Sequence, residues 1–434
     1  MHTRVFGHNI EINIGLLRII ELVLCLIMLF SYPGLINDNK MIIVYFLFVF
    51  ELLVFLIEKE KARLLKRCWP IFLIVLLSFI LQLLLSNDSQ RSLEYFVALV
   101  TFLLAAGHFS NYRINGLFIA LLKIICIISV FGTYLSFFSP EFFGTYMSFL
   151  YGDGRSIVSF AENGAYVGFF SEPSFNAYVL SVSYIIFTIE LFFGKNKPLS
   201  FVFLILTIVA VFLTGKRSFL LIVPVVILFI SLFSSKRKGI QRLLWVLFFL
   251  IALVFLTQII YPQIFDFMDR MFTDDYMINL NNRDIIWGIA FEKFSESPLF
   301  GIGINQFDIY FNEFYLQHYF YYSYRYFAGA HNSYIQLLSE LGVISLIAIF
   351  MMFYFFIIGC KLVSKQKDSL SKSFLLFSLS IQLLTLLYAI SGNPIHQYQQ
   401  LFMYLISVGI AASLLQKESR FKNEYIVYRN LRTI

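Results

Sequence analysis

The sequence predicts an all-α polytopic membrane protein, and three observations carry that expectation. Of the 434 residues, 59% are hydrophobic and only 14% are charged, where a soluble domain averages about a quarter charged. Phe alone fills 53 positions and the aromatics together make up 19%. The apolar residues fall in runs of membrane-spanning length. A water-soluble fold of this size cannot hide so much apolar surface and keep a wettable exterior. A soluble enzyme, a secreted disulfide scaffold and a disordered chain are thereby excluded.

A transmembrane helix needs about 20 mostly apolar residues. Such runs lie near 14–31, 41–57, 69–85, 93–108, 117–138, 174–193, 198–214, 218–233, 243–260, 334–358, 371–391 and 399–416, about 12 spans in all. The first is read as a span rather than a cleavable signal, because no small-residue cleavage site follows it. With both termini placed in the cytoplasm, 22 of the 33 Lys and Arg residues fall in inside segments and nine outside, as the positive-inside rule requires. Arg18 and Lys123 lie within spans near inner ends, where long basic chains snorkel. The net charge of +7 follows from this placement and calls for no nucleic acid. Two outside connections are long, 139–173 and 261–333, and no linker separates domains. Residues 1–434 therefore read as one transmembrane domain with an outer loop and a large, partly helical outer cap before the tenth span.

The spans hold few charges. Arg18 and Glu21 are three apart on one helical face; Glu51 is the only acid well inside a span, and Glu190 lies near an inner end. An ion-driven transporter keeps carboxylates, His or Arg within its spans, so the polar chemistry on the outside favours an enzyme acting there on a membrane-borne substrate. The four cysteines form no CxxC pair and no Cys/His cluster with zinc spacing.

The outside chemistry falls in four clusters. Arg155 follows Gly152-Asp153-Gly154, and Glu172 stands before Pro173 at the start of a long apolar run. Pro there suits a helix start with Ser171 or Glu172 near the cap, and an outward helix N-terminus suits an anion, as well as being a plain capped loop. Thr214-Gly215-Lys216-Arg217 puts two cations into a tight outside turn, a plausible phosphate clamp. Asn282-Arg283-Asp284 opens a helix ending near Ser295, whose Ile286, Ile289, Ala290 and Phe294 face the membrane domain. Gly301 and Gly303 after it resemble a phosphate loop only superficially. His331, in Ala330-His331-Asn332-Ser333-Tyr334, stands at the membrane boundary and suits an acid, a base or a phosphate donor, or a structural role. Just upstream, 310–327 holds eleven aromatics, among them Tyr324 beside Arg325, suited to sugar rings and equally to the membrane interface.

Together these segments resemble the O-antigen polymerase and O-antigen ligase superfamily. The resemblance rests on Gly154-Arg155 through Glu172-Pro173, on Thr214-Gly215-Lys216-Arg217, and on the stretch from Arg283 to Gly303. Its last element is His331-Asn332-Ser333-Tyr334 with Glu340-Leu341-Gly342. The family pattern there reads R-x3-W…P-L-F-G-x-G and H-N-x-Y/F…E-x-G, and the twelve-span plan with its outer cap matches as well. The resemblance implies a metal-independent, cofactor-free glycosyltransferase at the periplasmic face of the bacterial inner membrane, with an architecture similar to GT-C-type integral-membrane glycosyltransferases. It implies a donor glycan linked through pyrophosphate to undecaprenol and, as a partner, a chain-length regulator. By resemblance Arg217 and Arg283 hold the pyrophosphate and His331 assists at the reacting centre. Arg155, Glu172, Lys216, Tyr324 and Arg325 are the further contacts expected for pyrophosphate and glycan. The base that deprotonates the acceptor is left among His331, Glu172 and Glu340. Polymerase is preferred over ligase on the Phe-, Ile- and Tyr-rich composition, and a lipid-linked oligosaccharide flippase is the alternative from another class.

Overall fold

The computed structural model describes residues 2–5, 8–11, 15–30, 40–57, 88–109, 112–146, 154–170, 172–234, 283–318 and 329–431. Two short strands, β1 (His2–Val5) and β2 (His8–Glu11), pair antiparallel with Thr3 opposite Ile10. β-Branched Thr3, Val5 and Ile10 favour that extended hairpin. It is the one exception, among the described residues, to the expected all-α class.

The helices come in order as α1 (Leu16–Phe30), α2 (Lys40–Ile57), α3 (Ser89–His108) and α4 (Tyr112–Phe138). Two short helices follow, α5 (Pro140–Tyr146) and α6 (Gly154–Glu162), then α7 (Pro173–Phe193), α8 (Lys197–Leu213) and α9 (Arg217–Ser234). The large connection contributes α10 (Arg283–Glu296) and α11 (Phe307–His318). The chain continues with α12 (Ser333–Leu341), a 3₁₀ turn at Gly342–Ile344, α13 (Ser345–Lys365), α14 (Ser369–Tyr388) and α15 (Tyr398–Leu431). Ten of the expected runs coincide with these helices, while 69–85 and 243–260 lie outside the described residues. By length and composition five described segments can cross a membrane: Ile114–Phe138, Pro173–Phe193, Arg217–Ser234, Ser333–Lys365 and Ser369–Tyr388.

Burial sorts these spans into centre and periphery. In α7, 89% of the apolar window is buried, against 22% for Ser333–Lys365, so α7 stands in the middle and α13 presents its apolar side outward. The central helices carry small polar residues where they meet, which lets backbones approach. Ser183 of α7 shares a hydrogen bond with Thr207 of α8 at 3.2 Å, and the Ser378 hydroxyl of α14 donates to the Ser407 carbonyl of α15. Gly409 is required where α15 crosses α3, since a Cβ there would stand 2.2 Å from the Ala106 carbonyl oxygen.

Several expectations change in detail. The span near 334–358 is broken at Gly342, whose φ of +60° ends α12 and whose missing Cβ leaves room for the Pro298 carbonyl. The last helix runs on to Leu431 instead of ending near 416, because no Gly or Pro between them stops it. Lys123 does more than snorkel: its ammonium pairs with Glu190 at 2.7 Å. Arg18 and Glu21 pair at 3.4 Å as their spacing suggests. The helix opening at Arg283 forms as expected and leans on α12, the start of the tenth expected span: its buried Ile286, Ile289 and Ala290 pack with Phe307, Phe311 and Ala330, and Ile335 of α12 lies against them. Each large apolar side chain so covered contributes roughly 1.5–3 kcal/mol to holding the cap together. The glycines of the turn after α10 are packing residues, not a phosphate loop. A Cβ on Gly301 would lie 2.2 Å from the Glu340 backbone, and Gly303 donates its N–H to the Glu340 carbonyl at 3.0 Å.

Candidate functional site

The sequence gives four helices whose N-terminal ends carry the chemistry: α7, α9, α10 and α12. Each end leaves backbone N–H groups without intrahelical partners and carries partial positive charge. At α7, Glu172 is the N-cap residue before Pro173, and its side chain makes no cap hydrogen bond. The carboxylate acts instead as an electrostatic neighbour of Lys216 and of Tyr388. At α9, the residues Thr214-Gly215-Lys216 form a turn closed by the Thr214 hydroxyl donating to the Val211 carbonyl at 2.7 Å. Gly215 takes φ +67° there and lies against the Gly164 carbonyl of the outer loop, where a Cβ would stand at 3.1 Å. That turn leaves Lys216 and then Arg217, both half-buried, at the start of α9.

Arg283 opens α10, and Trp287 follows one turn later on the same face. The Trp287 indole N–H donates to the Ala330 carbonyl at 2.9 Å. That bond ties the helix bearing Arg283 to the residue immediately before His331. On the other side of His331, the Asn332 side chain caps α12 by accepting from the Tyr334 and Ile335 N–H groups at 3.0 and 3.2 Å. The Ser333 N–H donates to the Ala389 and Gly392 carbonyls, and the Tyr334 hydroxyl to Leu386. So α12 is docked on the end of α14 that carries Tyr388. Between these anchors His331 takes φ +50°, a left-handed conformation that costs a non-glycine residue about 1–3 kcal/mol and survives only where neighbours impose it.

The electrostatics join these residues into one cluster. Burial pushes Lys216 below the ordinary ammonium value; Glu172 opposes that shift and Arg283 adds to it. Burial likewise lowers Arg283, with Tyr388 opposing, though a guanidinium keeps its charge throughout the physiological range. His331 keeps solvent contact as a residue, yet partial burial of its imidazole, then the Arg283 and Lys216 charges, hold its pKa below the ordinary 6.5. It is therefore neutral at neutral pH and free to accept a proton. Tyr388 completes the group, with Ser174 as a polar neighbour and Glu172 and Arg283 as charged ones.

The structure thus brings together Glu172, Lys216, Arg283 and His331, with Arg217 next to Lys216 in the same turn. Arg155 begins α6, a helix packed on α5 through Ile157, Phe143 and Val167; its side chain lies outside the described residues, as do Tyr324 and Arg325. Glu340, one of the three bases left open, is fully buried and bound by the donors of Asn305, Phe307, Gln336 and His396, so it is not placed to meet an acceptor. Tyr388 and Ser174 were not singled out in the sequence, where nothing sets Tyr388 apart from 25 other tyrosines. Among the described residues no three His, Cys, Asp or Glu side chains group in a way that could hold a metal ion.

Fold and site define a helical membrane protein that gathers cations and a neutral imidazole at converging helix N-termini. Residues 202–350 match the family model described as O-Antigen ligase, and the match places this stretch in the O-antigen polymerase and ligase superfamily, whose members are glycosyltransferase-like membrane enzymes. It spans Lys216, Arg217, Arg283, His331 and Glu340, while Arg155, Glu172 and Tyr388 fall outside it. No curated protein matches the chain.

Proposed function

We propose that this chain is an O-antigen polymerase, joining undecaprenyl-pyrophosphate-linked oligosaccharide repeats at the periplasmic face of the bacterial inner membrane. In this reading it has twelve spans, both termini in the cytoplasm and an architecture similar to GT-C-type glycosyltransferases. The observation that carries the reading is the meeting of Lys216, Arg283 and His331 at helix N-termini, with Glu172 as the acidic neighbour of Lys216. Such a cluster suits a dianionic pyrophosphate better than any neutral ligand.

In the proposed step the acceptor sugar hydroxyl attacks the anomeric carbon of the donor glycan. The bond from that carbon to the pyrophosphate oxygen breaks, and undecaprenyl pyrophosphate leaves with the electron pair. Neutral His331 takes the hydroxyl proton. Negative charge grows on the leaving oxygens, so Lys216, Arg283 and the adjacent Arg217 bind the transition state more tightly than the substrate. One well-placed donor of this kind contributes about 3–4 kcal/mol. The leaving group is already activated, so neither a nucleotide nor a metal enters the step. Arg155, Tyr324 and Arg325 are proposed to contact pyrophosphate or glycan, and a chain-length regulator is the proposed protein partner.

The ligase reading, transfer to lipid A–core, is favoured by the description of the matched family. The choice of polymerase rests on composition, with 53 Phe and 26 Tyr. The flippase alternative needs working charges in the spans, and Glu190, near one span end, is already paired with Lys123. A lipopolysaccharide gel of the native host with the gene deleted and restored separates polymerase from ligase, and liposome flipping without polymer formation marks a flippase. A polymerase leaves one repeat on lipid A–core. A ligase leaves bare core with lipid-linked polymer accumulating, and a flippase leaves repeats stranded on the cytoplasmic face.

A further inference from the structure

A hydrogen-bonded chain behind the cation cluster has no part in the step just described, and its members come from distant parts of the sequence. Glu340 is completely buried. One carboxylate oxygen accepts from the Asn305 N–H at 2.9 Å and faces His396 Nε2 at 2.9 Å. The other accepts from the Gln336 side-chain amide at 3.0 Å and from the Phe307 N–H at 3.3 Å. The amide of Gln336 has a fixed polarity: its NH₂ turns to Glu340 and its oxygen turns to the Ala330 N–H, which donates to it at 3.0 Å. The Ala330 carbonyl in turn receives the Trp287 indole, one helical turn from Arg283.

We propose that His396, Glu340 and Gln336 are positioning residues that hold His331 and Arg283 in register for glycosyl transfer. The proposal rests on the function given above. Three features make the chain more than a core polar contact. It clamps Ala330 at both backbone groups, directly before a residue held in the left-handed region. The segment has no slack, because a Cβ on Gly329 would stand 2.0 Å from the Asn393 amide and 2.9 Å from the Gln336 oxygen. The same carboxylate also fixes the start of α11 through Asn305 and Phe307, and Phe307 and Phe311 pack against α10 beside α12, the helix that carries Glu340 itself. One buried carboxylate therefore sets both the loop that bears His331 and the helix that bears Arg283. The donors that fill it come from 301–307, from α12 and from the turn before α15, so their arrangement exists only in the folded chain.

The chain is tested on full-length protein in lipid nanodiscs by two readouts. The first is the titration of the His331 imidazole by NMR of histidine-labelled protein, with His331→Asn assigning the signal among six histidines. In Gln336→Met and Glu340→Gln, the loop drifts from Arg283 and Lys216, so the midpoint moves up toward the ordinary histidine value. The second readout is transfer with an undecaprenyl-pyrophosphate-linked repeat from the native host. A misplacement of about 1 Å costs up to about 100-fold, so kcat falls 10- to 100-fold while KM stays within about threefold. A merely structural role lowers the amount of folded protein and leaves the midpoint and the per-molecule rate alone. An unshifted midpoint in both single variants overturns the proposal. Absence of transfer by the wild type strikes instead at the proposed function, and the titration still decides the positioning role.

Discussion

Helix α7 carries a glutamate at each end, and the two live in opposite circumstances. At the C-terminal end, both oxygens of Glu190 bond the Lys123 ammonium at 2.7 and 2.8 Å, and Ser200 adds its hydroxyl at 3.3 Å. One charge meets one charge. At the N-terminal end, Glu172 shares its surroundings with Lys216, Arg283 and Tyr388, and its neighbour Arg283 lies close enough to lower His331 as well. Among the described residues there the cations outnumber the acid, and a bound anion would further offset the desolvation that lowers Lys216 and Arg283. The matched pair satisfies itself, whereas the mismatched group is the proposed receptor for the pyrophosphate.

The largest effects are expected from breaking the mismatched end. Arg283→Ala is expected to lower transfer about 100- to 1,000-fold, the range found when one transition-state donor is removed. Loss of undecaprenyl pyrophosphate release from membranes, with insertion unchanged, measures it. His331→Asn keeps a residue that tolerates the left-handed backbone while deleting the base, and is expected to cost 100- to 10,000-fold in kcat. A variant with normal kcat removes His331 from the reaction.

The pH dependence sharpens the same contrast. His331 has a folded pKa below 6.5, so the neutral base persists above that value and is lost as pH falls through it. The acid limb of kcat therefore lies below pH 6.5, and an inflection above it contradicts the assignment. The unfolded chain binds more protons in that window, so the histidine's contribution to stability also rises with pH there. Adding inorganic pyrophosphate is expected to move the His331 midpoint upward, because the bound anion cancels the Arg283 and Lys216 charges. Tyr388→Phe removes one hydrogen-bonding group and is expected to cost about 10-fold in transfer. The smallest effect belongs to the matched end. Replacing both members, Lys123→Met with Glu190→Gln, is expected to leave transfer within about twofold, since a paired charge replaced by apolar groups is often neutral.

The residues legible in the sequence are those that violate a local expectation. Lys216 and Arg217 stand out because basic residues are disfavoured in that connection, and Arg283 and His331 because each sits at a helix start in a recognisable pattern. Helices α4, α7 and α14 were legible from their apolar runs. The break at Gly342 was not, because it depends on the Pro298 carbonyl occupying the space of a Cβ. Trp287 belonged to a pattern without a role until its indole was found on the Ala330 carbonyl. Tyr388, Gln336 and His396 were invisible because their partners are far along the chain: Glu340 and His396 are 56 residues apart. Glu340 is one of the three candidate bases in the sequence, and its donors instead make it the acceptor for polar loop groups.

The central claim is best tested by purified protein in nanodiscs given a labelled undecaprenyl-pyrophosphate-linked repeat and nothing else. The account predicts lipid-linked chains of several repeats, with one undecaprenyl pyrophosphate released for each linkage and both lost in Arg283→Ala. Product formed only after lipid A–core is added, or chains that persist in Arg283→Ala, would contradict it.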